Sequence, residues 1–202
     1  MEKKEEKVLL DVFDFDGTIY DGDSTADFMK FALKRRPLLA LACVPPLLSA
    51  AGMKLTGSFT LTKFKSGLFS ALARRLSLEE EARAFWESDK TRGKLGQWFL
   101  GREKTLPVVI ASASPDFELR YAAELLGADA LICTRCDPIT GKLIGENCKS
   151  AEKIRRIGER FGPFEVRAMY TDDPKADGPL LALAGEKYLV RHGQVRRMDE
   201  TP

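Results

Sequence analysis

The chain has 202 residues, 44% of them hydrophobic and 31% charged, with 32 Lys and Arg against 30 Asp and Glu. That length and balance suit one sizeable core with a small accessory unit. The net charge of +2 gives no bulk field toward a polyanion, so a nucleic-acid partner is not expected.

Met1 to Lys7 is a mixed-charge run. It lacks the apolar segment and cleavage site of a signal peptide, and a cytoplasmic location is the expectation. Val8 to Phe15 then reads as a nearly continuous apolar strand, buried on both faces of a parallel sheet. It ends in Asp14-Phe15-Asp16-Gly17-Thr18. Asp11, three before Asp14, points to the other side and reads as structural. Asp21 and Asp23 follow, either tying the loop after the strand or lining a substrate entrance.

From Thr25 to about Thr105 the apolar residues recur at helical spacing and no strand pattern is convincing. Asp27 to Leu33 and Phe64 to Leu76 are helical, and Ser77-Leu78-Glu79-Glu80 is a capping box that opens a helix through Trp86. Phe64, Phe69, Phe85, Trp86 and Trp98 read as the core of this block. Pro37 to Gly52 is its most apolar stretch. It is too short to span a bilayer, and Pro45-Pro46 is expected to interrupt it. Packed helices are the first reading of 37–52, with a weak membrane-surface contact as the alternative.

Strand and helix then alternate. Pro107 to Ala111 is a short strand. Ser114-Pro115-Asp116 starts a helix, with Ser114 as cap, that runs to Leu126 and stops at Gly127. Ala130 to Cys136 and Lys142 to Ile144 form a hairpin. A helix follows over Ser150 to Phe161. Val166 to Tyr170 is a strand, Pro179 to Ala184 a short helix and Tyr188 to Val190 a last strand. Cys133 and Cys136 make a CxxC, but no second pair completes a zinc site, and His192 is the only histidine. On one strand, residues three apart face opposite ways. The four cysteines are therefore expected to be reduced thiols.

The alternation implies an α/β doubly wound parallel sheet with a small all-helical block inserted after the first strand. Ligands of such sheets bind outside the carboxyl ends of the strands. There the sequence gathers Asp14 and Asp16, then Ser112-Ala113-Ser114, then Thr171-Asp172-Asp173 with Asp177 close by, and a helix-borne lysine. Carboxylates, a hydroxyl and a lysine are an inventory for Mg²⁺ and phosphate. Asp14 and Asp16, two apart, point the same way in an extended strand. Asp14 has one oxygen for a metal and one to attack phosphorus. Asp16 serves as general acid and then base, which requires that it be shielded from solvent or used only as the alkoxide forms. Ser112 and the lysine hold phosphoryl oxygens, and Gly17 permits a sharp turn beside the phosphate.

DFDGT after an apolar strand, a later strand ending in Ser, a helix-borne Lys and a DD…D cluster resemble, in order, the four motifs of the haloacid dehalogenase-like hydrolases. IYDGDST and IASASP are similar to the phosphoserine phosphatase-like branch. The motifs span nearly the whole chain. The resemblance implies a Rossmann-like core formed by 1–24 and 101–202, and a helical cap over 25–100. It implies Mg²⁺ dependence, Asp14 as nucleophile, Asp16 as acid/base and a metal ligand from the backbone carbonyl of Asp16. Gly17, Thr18, Ser112 and Ala113 fall on the phosphate side. Lys149 and Lys153 both suit the lysine motif. The family pattern favours Lys153, with Ser150 standing where Gly is usual. Asp172 and Asp173 both suit the last metal position, Asp172 being the preferred ligand, with Asp177 and Asp23 in support. The function expected is a phosphomonoester hydrolase acting on a small phosphorylated metabolite or a lipid phosphate. The alternatives are a phosphotransferase or mutase and a receiver-like phosphoacceptor.

Overall fold

The computed structural model describes residues 7–198. The mixed-charge residues 1–6 lie outside them. Strand β1 (Val8–Phe13) pairs in parallel with β2 (Val108–Pro115) on one side and with β5 (Phe164–Thr171) on the other. Beyond β2 lies β3 (Ala130–Cys136), also parallel, and β6 (Ala184–Arg191) continues the parallel set beyond β5. Two antiparallel strands, β4 (Leu143–Ile144) and β7 (Gln194–Arg197), close the edges. The order is β4-β3-β2-β1-β5-β6-β7. The chain winds from β1 outward through β2 and β3, then returns to start again at β5. That reversal leaves a crevice at the carboxyl ends of β1 and β5, where open α/β sheets bind ligands. The fold is the Rossmann-like doubly wound α/β sheet that the sequence predicts.

From Leu10 to Phe13, strand β1 is buried on both faces. Leu10 and Val12 join Val109, Val166, Ile157 of helix α8 (Ala151–Phe161) and Leu180 of helix α9 (Gly178–Leu181). Phe13 belongs to a second cluster with Ile110 and with Phe117 of helix α7 (Asp116–Leu125). The same cluster takes in Phe28, Phe69, Phe85 and Trp86 from the helical block. That block comprises α1 (Ser24–Arg35), α2 (Leu39–Leu55), α3 (Leu61–Ala73), α4 (Leu78–Glu87) and two short helices, α5 (Asp89–Arg92) and α6 (Gln97–Leu100). Ser77 caps α4 as predicted, its hydroxyl accepting from the Glu80 amide at 3.3 Å. Asp11 is structural as read: its Oδ1 accepts from Arg167 Nε at 2.8 Å.

Three expectations need correction. Pro45 and Pro46 do not interrupt the apolar stretch; both lie inside the continuous helix α2. They deprive the carbonyls of Leu41 and Ala42 of donors, but the helix lies at the surface, where water can serve them. Ser114 does not cap α7. The strand β2 runs on through Pro115, the helix starts at Asp116, and the Ser114 hydroxyl goes to Asp16 instead. The chain also turns at His192 and Gly193, both at positive φ, to add β7, which the sequence reading lacked.

Candidate active site

Asp14 directly follows the last residue of β1, and its amide donates to the Tyr170 carbonyl of β5 at 2.9 Å. Phe13 stacks on Tyr170 with ring centroids 4.5 Å apart, which fixes the strand end. Lys153, in the first turn of α8, reaches across. Its Nζ lies 2.9 Å from Asp14 Oδ1 and 2.7 Å from Asp177 Oδ1. Lys149 is exposed and makes no such bridge. Asp177 in turn accepts from the Thr171 hydroxyl at 2.8 Å. Burial alone would depress the Lys153 ammonium; Asp14 and Asp177 override it and hold the group charged. Burial pushes the Asp14 carboxyl up to about 7, and Lys153 opposes the rise.

The approach to α8 departs from ordinary backbone. Ser150, just before the helix, has φ 53° and ψ −129°. This is the position where Gly is usual in the resemblance, and the conformation is one that a side chain resists.

Asp16 is held by both oxygens. The Ser24 amide donates to Oδ1 at 2.7 Å and the Ser114 hydroxyl to Oδ2 at 2.6 Å. Burial raises its pKa, and the two donors work against the rise. Asp16 is therefore partly shielded, as an acid/base role requires. Gly17 turns the chain at φ +73°, and a Cβ there would lie 2.2 Å from Asp172 Oδ2. The absent side chain is what lets Asp172 approach. Thr18 contributes a weak hydroxyl contact to Asp172 Oδ1 at 3.4 Å. Burial also raises Asp172.

The remaining predicted residues are less central. Ser112 is buried, and its hydroxyl accepts from the Ser114 amide at 3.1 Å. The Ala113 carbonyl accepts from the Thr134 hydroxyl at 2.9 Å. Asp173 is exposed, and its Oδ1 closes its own loop by accepting from the Lys175 and Ala176 amides at 3.1 and 3.0 Å. Asp23 caps α1 through the Ala26 amide at 2.8 Å. An open cleft of about 920 Å³ is lined by Asp16, Gly17, Asp23, Asp172 and Asp173, with Lys175 and Arg191 on its rim. Among the described residues, no group of three or more His, Cys, Asp or Glu side chains is placed to hold a metal ion.

Sequence reasoning missed one chain of contacts. Ser114, which holds Asp16, lies 3.2 Å from the Thr25 hydroxyl, and Thr25 donates to Glu118 Oε2 at 3.0 Å. Glu118 is wholly buried in α7, and burial pushes its carboxyl up to about 8. Its Oε1 and the Ser24 hydroxyl have no partner among the described residues. The only sequence signal was an acid on the inner face of a helix, on the turn above Ser114.

Residues 12–182 match the family model of haloacid dehalogenase-like hydrolases. Protein CicA of Caulobacter vibrioides is 35% identical over 198 residues, covering 92% of this chain and 88% of that one. A solved protein of unknown function from Bordetella pertussis Tohama I is similar with a TM-score of 0.69 at 20% identity, over 90% of this chain and 89% of that chain. A probable phosphoserine phosphatase from Vibrio cholerae gives a TM-score of 0.55 at 17% identity, over 90% and 55% of the two chains. These structural likenesses are likenesses of fold.

Proposed function

The chain belongs to the haloacid dehalogenase-like hydrolases, and from that premise we propose that it is a Mg²⁺-dependent phosphatase that cleaves phosphomonoesters through an aspartyl-phosphate on Asp14. The observation that carries this reading is the buried Lys153 ammonium, 2.9 Å from Asp14 and 2.7 Å from Asp177. An ammonium has three donors. Two are engaged, and the third is free for a phosphoryl oxygen beside the nucleophile.

Asp14 attacks phosphorus, and the bond to the leaving oxygen breaks. Asp16 gives its proton to that oxygen. Asp16 then takes a proton from water, which attacks the phosphorus and frees Asp14. Ser24 and Ser114 fix the Asp16 carboxyl through the work. Lys153, Ser112 and Thr18, with the backbone at Ala113, bind the phosphoryl oxygens.

The donor set suits Mg²⁺. Asp14, Asp16 and Asp172 are carboxylates whose pKa values burial raises, so negative charge is gathered there at a cost that a cation would relieve. Asp14, Asp172 and the Asp16 carbonyl would hold the ion, two carboxylates and a carbonyl that leave further positions for water and substrate oxygens. Asp173 is otherwise engaged and stands in support. Bound Mg²⁺ would neutralise the phosphoryl oxygens and orient the phosphate.

We assign 25–100 to a cap that selects the substrate and excludes water, over a core of 1–24 and 101–202. The substrate is a small phosphorylated metabolite or a lipid phosphate. The test is phosphate release across a panel of both kinds with Mg²⁺, phosphoserine included. Asp14→Asn should lower the rate about a thousandfold or more. Activity retained in that variant would overturn the mechanism.

A further inference from the structure

Helix α2 inverts the usual relation between apolarity and burial. Of its 17 residues, only Leu39, Cys43 and Ala50 are buried. Leu41 is 70% exposed, Val44 46%, Leu48 68% and Leu55 90%. These four recur at intervals of three, four and seven, so they form one stripe along the helix. The stripe faces solvent, whereas the apolar stripe of a surface helix ordinarily faces the core. Leu38 before it and Leu61 after it are also exposed. The helix carries one charge, Lys54, and has no side-chain cap. Little in α2 itself favours a helix standing free in water.

The surrounding charge has one sign. Residues 28–78 contain nine Lys and Arg and no Asp or Glu. The whole chain is only +2, so the remainder of the molecule is net acidic. Lys34, Lys54, Lys63, Arg74 and Arg75 are exposed and form no ion pair among the described residues. Lys63, Arg74 and Arg75 share a groove with Leu41 and Pro45, which sets cations beside the leucines. No helix among the described residues is long and apolar enough to cross a membrane.

We infer that the α2–α3 hairpin docks the protein on an anionic membrane surface, with α2 lying in the plane of the interface. Leu41, Val44, Leu48 and Leu55 enter the acyl boundary, and the basic rim meets anionic headgroups. The stripe offers area with no hydrogen-bonding side chain to read a particular peptide, and the sign of its rim selects the lipid. An acidic remainder turns the rest of the molecule away from the surface.

The test is co-sedimentation of the full chain with vesicles, without substrate, so its result is independent of the hydrolase reading. Binding is expected to phosphatidylcholine vesicles containing about a third phosphatidylglycerol, to weaken with salt and to be far weaker on phosphatidylcholine alone. Leu41→Gln/Leu48→Gln and Arg74→Glu/Arg75→Glu each alter exposed positions outside the catalytic machinery. Each should weaken binding about tenfold or more, with the thermal transition retained. Absent binding to the anionic vesicles, or binding that neither variant changes, would overturn the inference. So would sedimentation showing a dimer that Leu41→Gln/Leu48→Gln dissolves in a protein that ignores vesicles, since a second copy would then cover the stripe.

Discussion

Glu118 shows what a single buried carboxyl does in this fold. Its pKa is raised from 4.5 to about 8, first by burial and then by Asp16. Between those values the unfolded chain has released the proton and the folded chain has kept it. Stability from this group is therefore lost as pH rises from about 4.5 to about 8, and is level beyond. Glu118→Gln keeps the shape and removes the titration. Its melting temperature should depend less on pH than the wild type's over that window, and should exceed it at the alkaline end. Melts across the range check this; parallel curves for the two proteins would show that Glu118 does not titrate there. At this scale the acids at the end of the first strand were legible, but the strand was read two residues too long. It ends at Phe13, so Asp14 and Asp16 lie beyond it and strand alternation does not align them. The Ser114 hydroxyl on Asp16 was not legible. Its partner is 98 residues away, and the local pattern favoured a helix cap.

The β3–β4 hairpin and α3 depend on each other through one glycine. Gly141 turns at φ +68°, and a Cβ there would lie 2.3 Å from the backbone of Phe69 and 2.4 Å from the Ser70 nitrogen. The Leu143 amide donates to the Ser66 hydroxyl at 3.2 Å beside it. Gly141→Ala must therefore push the hairpin off the helix and strain the turn. A loss of about 2 kcal/mol or more is expected in chemical denaturation. A change below about 0.5 kcal/mol would mean that the two elements are not packed as described. The hairpin of Ala130 to Cys136 with Lys142 to Ile144 was readable, since strand patterns and the turn chemistry between them are local. Its docking on α3 was not, since no periodicity records which helix a loop touches. The continuity of α2 through Pro45-Pro46 was misread for a related reason. Proline removes donors, but whether that breaks a helix depends on what else serves the carbonyls.

For the whole molecule, the proposed Mg²⁺ site would link metal binding, charge and stability. Burial pushes the Asp14 carboxyl up to about 7 against the pull of Lys153, and a carboxylate must be ionised to bind Mg²⁺. Millimolar Mg²⁺ should raise the melting temperature, and the increment should be larger at about pH 8 than at about pH 6. A chelator should reverse it. Equal increments at both pH values would detach metal binding from Asp14.

The alternation that makes a doubly wound sheet, the helical block after β1 and the acids beyond the strand ends are all legible in the chain read residue by residue. Each of these is written in spacing along a few consecutive residues. The fold set Lys153, which the family pattern already favoured over Lys149, between Asp14 and Asp177, a pairing that no local spacing records. It also brought Glu118 behind Asp16 and turned the leucines of α2 outward. Those outcomes depend on which segments the sheet order makes neighbours and which helix face is left uncovered. A linear pattern gives the period of a helix, and the fold alone chooses the direction it faces.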